Sequence, residues 1–215
     1  MSERSERFMN AARLVAVSAG LGTPSSSRLL ADRLAAATRE RLTADGRPVE
    51  VTVIELRDLA TDIANGLVTG FPGTRLRTAI EAVTGAEGLI AVSPIFSASY
   101  SGLFKSFFDV IDNTALAGRP VLIAATGGTA RHSLALEHAL RPLFTYLRAI
   151  VVPTAVYAAP EDWGSGGDAG AGDLAARVDR AADELAALMR DRPPAAAPAE
   201  SVVPFAEQLA ALRPE

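Results

Sequence analysis

Short apolar runs alternate along this chain with longer stretches in which apolar residues recur every three or four positions. The short runs predict strands near residues 13–18, Val49–Leu56, Gly88–Val92, Pro120–Ala125 and Ile150–Tyr157. The longer patterns predict helices near 26–43, 74–85, 102–113, 131–148 and 173–190, with Pro142 expected to kink or break its helix. Strand and helix in strict alternation imply an α/β protein, a parallel sheet covered by helices on both faces. Residues 1–192 read as one domain. Residues 193–215 read as a Pro/Ala-rich linker followed by a short docking helix with Phe205, Leu209 and Leu212 on one stripe. The glycine-rich stretch from Pro160 to Gly172 reads as a mobile loop around Trp163.

Five such strands suggest a flavodoxin-like three-layer sandwich with a five-stranded parallel sheet in the order 2-1-3-4-5. A ligand then belongs at the carboxyl ends of the central strands. The polar residues follow that expectation. Strand one runs into Ser18-Ala19-Gly20-Leu21-Gly22-Thr23-Pro24-Ser25-Ser26-Ser27-Arg28, and strand three into Ser93-Pro94-Ile95-Phe96-Ser97-Ala98-Ser99. Strand four runs into Thr126-Gly127-Gly128-Thr129-Ala130-Arg131-His132. Strand two instead leaves through Glu55-Leu56-Arg57-Asp58, which reads as a solvated exit. Hydroxyls and free N–H groups at a helix start suit a phosphate, because the helix dipole and the unpaired donors both favour negative charge. The first loop is not a Walker loop, since no Gly-Lys-Ser/Thr closes it, and Ser25 stands where a dinucleotide fingerprint has its third glycine. A mononucleotide fits better, with FMN as the leading choice.

Composition narrows the picture further. The 215 residues are 49% hydrophobic and 21% charged, with a formal net charge of −4. That balance and the absence of a basic stripe argue against nucleic acid as a partner. No apolar run approaches the roughly 20 residues of a membrane span, and the polar first residues lack signal-peptide character. With no cysteine in the chain, disulfides and thiolate chemistry are excluded, and a cytoplasmic location is expected. Lys105 is the single lysine.

Ser-Pro-Ile-Phe followed by Ser-Gly-Leu-Phe-Lys (93–105), and Ala-Thr-Gly-Gly-Thr-Ala-Arg-His followed by Leu-Glu-His-Ala-Leu-Arg-Pro-Leu-Phe (125–144), resemble the NADPH-dependent FMN reductase family. Within it, the chain is most similar to flavin reductases that supply reduced FMN to two-component monooxygenases. The resemblance runs from about residue 13 to 158. It implies that Ser18, Ser25, Ser26 and Ser27 meet the FMN phosphate, that Pro94, Ile95, Phe96 and Ser99 line the isoalloxazine, and that Thr126, Gly127 and Gly128 meet its pyrimidine edge. It implies FMN and NAD(P)H as the redox pair, a flavin-dependent monooxygenase as partner, and a homodimer or homotetramer. Many relatives carry an arginine inside the phosphate loop where this chain has Ser26, with Arg28 two positions later.

Other readings compete for several of these residues. Ser25–Ser27 also read as plain helix capping. Gly127-Gly128 also reads as a tight turn, and His132 as a polar residue of a first helical turn. His132 and His138 lie at no usual metal spacing, so no metal site is expected. Asp109 and Asp112 read as solvated, and Trp163 as a loop anchor. Leu103, Phe104, Phe107 and Phe108 offer more apolar surface than one helix face needs, which points to assembly through 102–113 and 131–148. The competing activities are an FMN-containing quinone or azo reductase and a flavodoxin-like electron carrier.

Overall fold

The computed structural model describes residues 11–163 and 169–190. Its strands are β1 (Ala12–Ser18), β2 (Val49–Glu55), β3 (Gly88–Phe96), β4 (Ser99–Tyr100), β5 (Pro120–Thr126), β6 (Ile150–Val151) and β7 (Val156–Ala158). The helices are α1 (Ser26–Ala44), α2 (Ala60–Thr69), α3 (Thr74–Thr84), α4 (Gly102–Asp109), α5 (Arg141–Tyr146) and α6 (Ala169–Arg190). The sheet has seven strands rather than the expected five, in the order β2-β1-β3-β5-β6. The two additional strands are local. Short β4 folds back antiparallel on the end of β3, and β7 continues the edge that β6 begins.

The expected fifth strand is thus one edge interrupted in the middle. Ile150 pairs with the start of β5 at Pro120, and Val156 pairs with Ala124 near its end. Between them Pro153 has no N–H for the ladder. Thr154 turns its N–H and hydroxyl to the Glu184 carboxylate on α6, both at 2.7 Å.

Side chains alternate across the sheet with the period of two that a pleated strand imposes. Val15 and Val17 of β1, Leu89 and Ala91 of β3, and Val121 and Ile123 of β5 face one core, which α2 to α5 cover with Ile63, Leu76, Phe104, Phe107, Phe108 and Phe144. Leu14, Ala16, Ile90, Val92, Leu122 and Ala124 face the other, under α1 and α6. Both faces are buried, so the parallel strands read as continuous apolar runs.

The helical pattern expected over 131–148 is three pieces: a 3-10 turn Ala130–His132, a π turn Leu136–Leu140, and α5. Pro142 lacks the N–H that an α-helix would give to the residue four before it, and the chain widens just ahead of it. There the Arg141 N–H reaches back to the Leu136 carbonyl. The helix expected over 102–113 ends at Asp109. Helix α2 has no counterpart in the sequence reading, because Gly66, Asn65 and three threonine or aspartate positions weaken its periodic signal. Gly66 is what lets it dock: a Cβ there would lie 2.9 Å from Leu76 Cδ2 on α3. The expected linker and docking helix of 193–215, and most of the glycine-rich stretch after Trp163, fall outside the described residues.

The amino-terminal edge of the sheet is locked by charge. The Glu87 side chain is buried to 2% exposure, receives the Arg13 N–H at 3.3 Å, and pairs with the Arg47 guanidinium. Arg47 also donates to the Met189 carbonyl, tying the end of α6 to the turn before β3. Removing one partner of a buried pair leaves an uncompensated charge, which costs roughly 3–5 kcal/mol. Arg47→Met is therefore expected to lower unfolding stability by about 3 kcal/mol in urea titration, and the double variant with Glu87→Gln to recover much of that loss.

Candidate functional site

Parallel registration places three hydroxyl-bearing loops on one edge of the sheet. Ser18 at the end of β1 stands opposite Val92 on β3, and Pro94 on β3 stands opposite Thr126 at the end of β5. Ser18, Ser27 and Thr126 are all buried. Ser27 and Thr126, far apart in sequence, join through their hydroxyl oxygens at 2.7 Å, so the first and third loops touch directly.

The first loop is organised around the start of α1. Ser25 is the N-cap, its Oγ accepting the Arg28 N–H at 3.2 Å, so the capping reading holds for that residue. The N–H groups of Ser26 and Ser27, first in the helix, donate to no acceptor among the described residues. Ser26 is exposed, with Ser25 half-buried beside it. Gly20 leaves the cap its room: a Cβ on it would sit 2.0 Å from Ser25 Oγ and displace that hydroxyl from its capping position. The Gly20 N–H meets Ser18 Oγ at 3.5 Å, and the Thr23–Pro24 peptide is cis.

The exit of β2 is not the solvated turn that its composition suggests. Leu56 and Leu59 are buried, and Arg57 reaches back to the loop. Its guanidinium donates to the Gly22 carbonyl at 2.8 Å and to Thr23 Oγ1 at 2.6 Å, and pairs with Glu55 at 3.1 Å. Arg28 pairs with the same Glu55 at 2.7 Å and with Asp32 at 2.9 Å. Asp32 and then Glu55 strengthen the guanidinium's hold on its proton. No run or spacing pointed to Arg57; the available signal was that β2 had to end on the same edge as the loop.

The second loop is shorter than expected, because β3 continues to Phe96 and turns straight into β4. Phe96 pairs with Ser99, and the connecting Ser97 and Ala98 both adopt positive φ, 48° and 70°. That is a two-residue hairpin turn of the left-handed kind glycine normally fills, here built from residues with side chains. Pro94 is buried within the strand, Ile95 and Ser99 are half-buried, and Phe96 is 47% exposed. Beneath them Ser93 Oγ accepts the Ser101 N–H at 2.9 Å, and Ser101 Oγ caps α4 through the Phe104 N–H at 3.1 Å.

The third loop rests on Tyr157, a residue the sequence reading leaves within a strand. Its hydroxyl donates to the Thr129 carbonyl at 2.9 Å, and burial first, then Glu161, pushes that phenol above its ordinary range, so it stays a donor. Gly127 is packed against it: a Cβ would lie 2.1 Å from the phenol oxygen. Gly128 is exposed and nothing lies within 4 Å of a Cβ built on it, so its outer side is open. Behind Tyr157, Arg177 of α6 donates to the Tyr157 carbonyl and pairs with buried Asp162 at 2.7 Å, while Asp162 accepts the Ala159 N–H at 2.8 Å. His132 is exposed in its 3-10 turn beside this loop.

The remaining polar positions are accounted for locally. Asp109 pairs with Lys105, and Asp112 accepts from Thr114. Trp163 packs half-buried on the α1/α6 core with the Arg33 guanidinium 4.9 Å from its ring centre. Among the described residues no group of three or more His, Asp or Glu could hold a metal ion, and no helix is long and apolar enough to cross a membrane.

Residues 12–164 match the family described as NADPH-dependent FMN reductase. The chain is 40% identical over 151 residues to an FMN reductase (NADPH) of Pseudomonas aeruginosa, covering 70% of this chain and 78% of that protein. It is 38% identical, with the same coverages, to the NADH-dependent FMN reductase SfnF of Pseudomonas fluorescens. Among solved structures, an oxidoreductase from Corynebacterium diphtheriae superposes with a TM-score of 0.82 at 46% identity, covering 86% of this chain and all of that one. The apo form of the NADH:FMN oxidoreductase EmoB superposes with a TM-score of 0.71 at 30% identity, covering 85% of this chain and 92% of the other. A WrbA-like flavodoxin from Agrobacterium tumefaciens, at 15% identity and a TM-score of 0.57, shares the fold. The chain belongs to the NADPH-dependent FMN reductase family, oxidoreductases that work with FMN and a nicotinamide nucleotide.

Proposed function

We propose that this protein binds FMN across the three loops and passes electrons from NAD(P)H to it, in the cytoplasm, for use by a flavin-dependent monooxygenase. The observation that carries this reading is the convergence of the loops after β1, β3 and β5, joined by the Ser27–Thr126 hydrogen bond. The residues fit the group. Ser26 and Ser27 offer unclaimed N–H donors at a helix start, where a phosphate is favoured, and the Ser18, Ser25 and Ser27 hydroxyls lie beside them. Exposed Phe96, on the same side of β3 as Pro94, offers an apolar surface paired with Ser99, while half-buried Ile95 packs from the other side against the α2–α5 core. Thr126, Gly127 and Gly128 offer backbone groups on the far side, with open space over Gly128.

FMN, when bound, supplies the redox chemistry itself, accepting a hydride from NAD(P)H at N5. The chain's own work is to hold and orient. Loop one binds the phosphate end, the hairpin supplies a flat apolar face, and loop three fixes the polar edge while leaving room beside it for the nicotinamide. No nucleophile–base pair is needed for work of this kind.

Self-association is part of the same proposal, on changed grounds. Phe104, Phe107 and Phe108 are not spare surface, because all three are buried in the core. What α4 and α5 do leave outside is Tyr146, 71% exposed, at a cavity of about 360 Å³ lined also by Lys105, Asp109, Asn113 and Leu143. A homodimer or homotetramer is joined there.

Ser25→Ala combined with Ser27→Ala is expected to weaken FMN by about 2–4 kcal/mol, from charge-assisted bonds to the phosphate, while riboflavin barely changes. Equal losses for both flavins in a fluorescence titration contradict the phosphate assignment. Gly128→Val should cut turnover about a hundredfold, since a misplacement of about an ångström is worth that much, against less than about tenfold for His132→Asn. Steady-state NAD(P)H oxidation at saturating FMN checks both variants, with a quinone and an azo dye as competing acceptors. In light scattering the protein should run as a dimer or tetramer, and Tyr146→Asp should shift it toward the monomer.

A further inference from the structure

We infer that Arg57 is a positioning residue for flavin phosphate recognition, acting through the backbone of loop one. The inference rests on the assignment of that loop to the phosphate. Leu21, Gly22, Thr23 and Pro24 are all exposed, and among the described residues the Arg57 guanidinium supplies the only hydrogen bonds that reach them from outside the loop. At either end the loop is well held. The Ala19 N–H donates to the Val92 carbonyl at 3.0 Å, and the Ser25 cap fastens the helix start. Between those anchors, past the Gly20 N–H contact with Ser18 Oγ, Arg57 alone among the described residues hydrogen-bonds to the stretch from Leu21 to Pro24.

The guanidinium is itself fixed in place. One nitrogen serves both loop acceptors, and a second meets Glu55, whose other oxygen is taken by Arg28. Glu55 stands opposite Ser18 in the register of β1 and β2, so this carboxylate clamps two arginines at the root of the loop. A planar fork held at several points loses little further freedom when it orders its target. The positive charge is spent on a carbonyl, a hydroxyl and a carboxylate. Its effect on the ligand is therefore geometric, keeping Ser25, Ser26 and Ser27 converged, rather than direct pairing with the phosphate.

The test compares FMN with riboflavin, which share the ring and differ in the phosphate. In the native protein the KM for FMN should be well below that for riboflavin. In Arg57→Ala the ratio of KM for FMN to KM for riboflavin should rise about tenfold, the size of one charge-assisted hydrogen bond, with kcat at saturating FMN changed less than twofold. Arg57→Lys should recover part of the preference, because a single ammonium reaches one loop acceptor but not both. Thermal melts of both variants separate a loss of folding from a loss of recognition. A native protein that does not prefer FMN overturns the phosphate assignment itself. A native preference that survives Arg57→Ala unchanged, or a parallel rise in both KM values, leaves that assignment standing and overturns the role of Arg57. A salt dependence of FMN affinity that is steep in the native protein and flattened in Arg57→Ala makes Arg57 a direct phosphate ligand and also overturns the positioning role.

Discussion

The level alignment of β1, β3 and β5 is the constraint on which everything else at this edge depends. Parallel neighbours with slanted, evenly spaced hydrogen bonds cannot slip by one residue without turning every inward side chain to the opposite core. Here both faces are buried, so a slip would exchange the contents of two different cores at once. The apolar pattern on two sides therefore specifies where each strand stops, and with it which residues are carried past the sheet. Ser18 ends level with Val92 and Ala124, and Pro94 and Thr126 stand level with each other two residues further on, because Val15, Leu89 and Val121 lie side by side in register beneath them.

Past the sheet, polar groups divide into those that hold the edge together and those left for a ligand. Ser93, Ser101, Thr129 and Tyr157 bind other parts of the chain and set loop shape. The early N–H groups of α1 and the open side of Gly128 are unclaimed. Hydroxyls suit both tasks, since each donates and accepts. Ser25 caps its helix with a lone pair and keeps its proton available. Capping through Ser25 Oγ therefore leaves that hydroxyl able to make a further hydrogen bond, so the two readings of the residue do not compete.

Local patterning made the sheet order, the helices that flank β1 and β3, and the three polar loops legible from sequence. What escaped it were features set by distant partners or by single residues. The fifth strand read as continuous because Val, Ile and Tyr dominate 150–157, and only the loss of a donor at Pro153 and the pull of Glu184 on Thr154 divide it. The helix over 131–148 kept its apolar period across a π turn, since a single wider turn shifts the stripe too little to show. Arg57 and Tyr157 could not be picked out because their roles are defined by carbonyl oxygens, which leave no trace in residue identity. Phe104, Phe107 and Phe108 misled in the opposite sense: a cluster that looked like excess surface packs ring against ring, with Phe104–Phe108 and Phe108–Phe144 centroids 4.8 and 5.0 Å apart.

The hairpin at Ser97 and Ala98 bears on how quickly a planar ligand can come and go. A connection of two residues has too few torsions to swing aside as a flap, and both of these are already committed to an unusual backbone region. Phe96 at its rim is consequently a fixed wall rather than a moving cover. The hairpin itself therefore contributes a fixed rim and no swinging flap. With FMN held across the three loops as proposed above, such a rigid threshold favours rapid exchange over long retention.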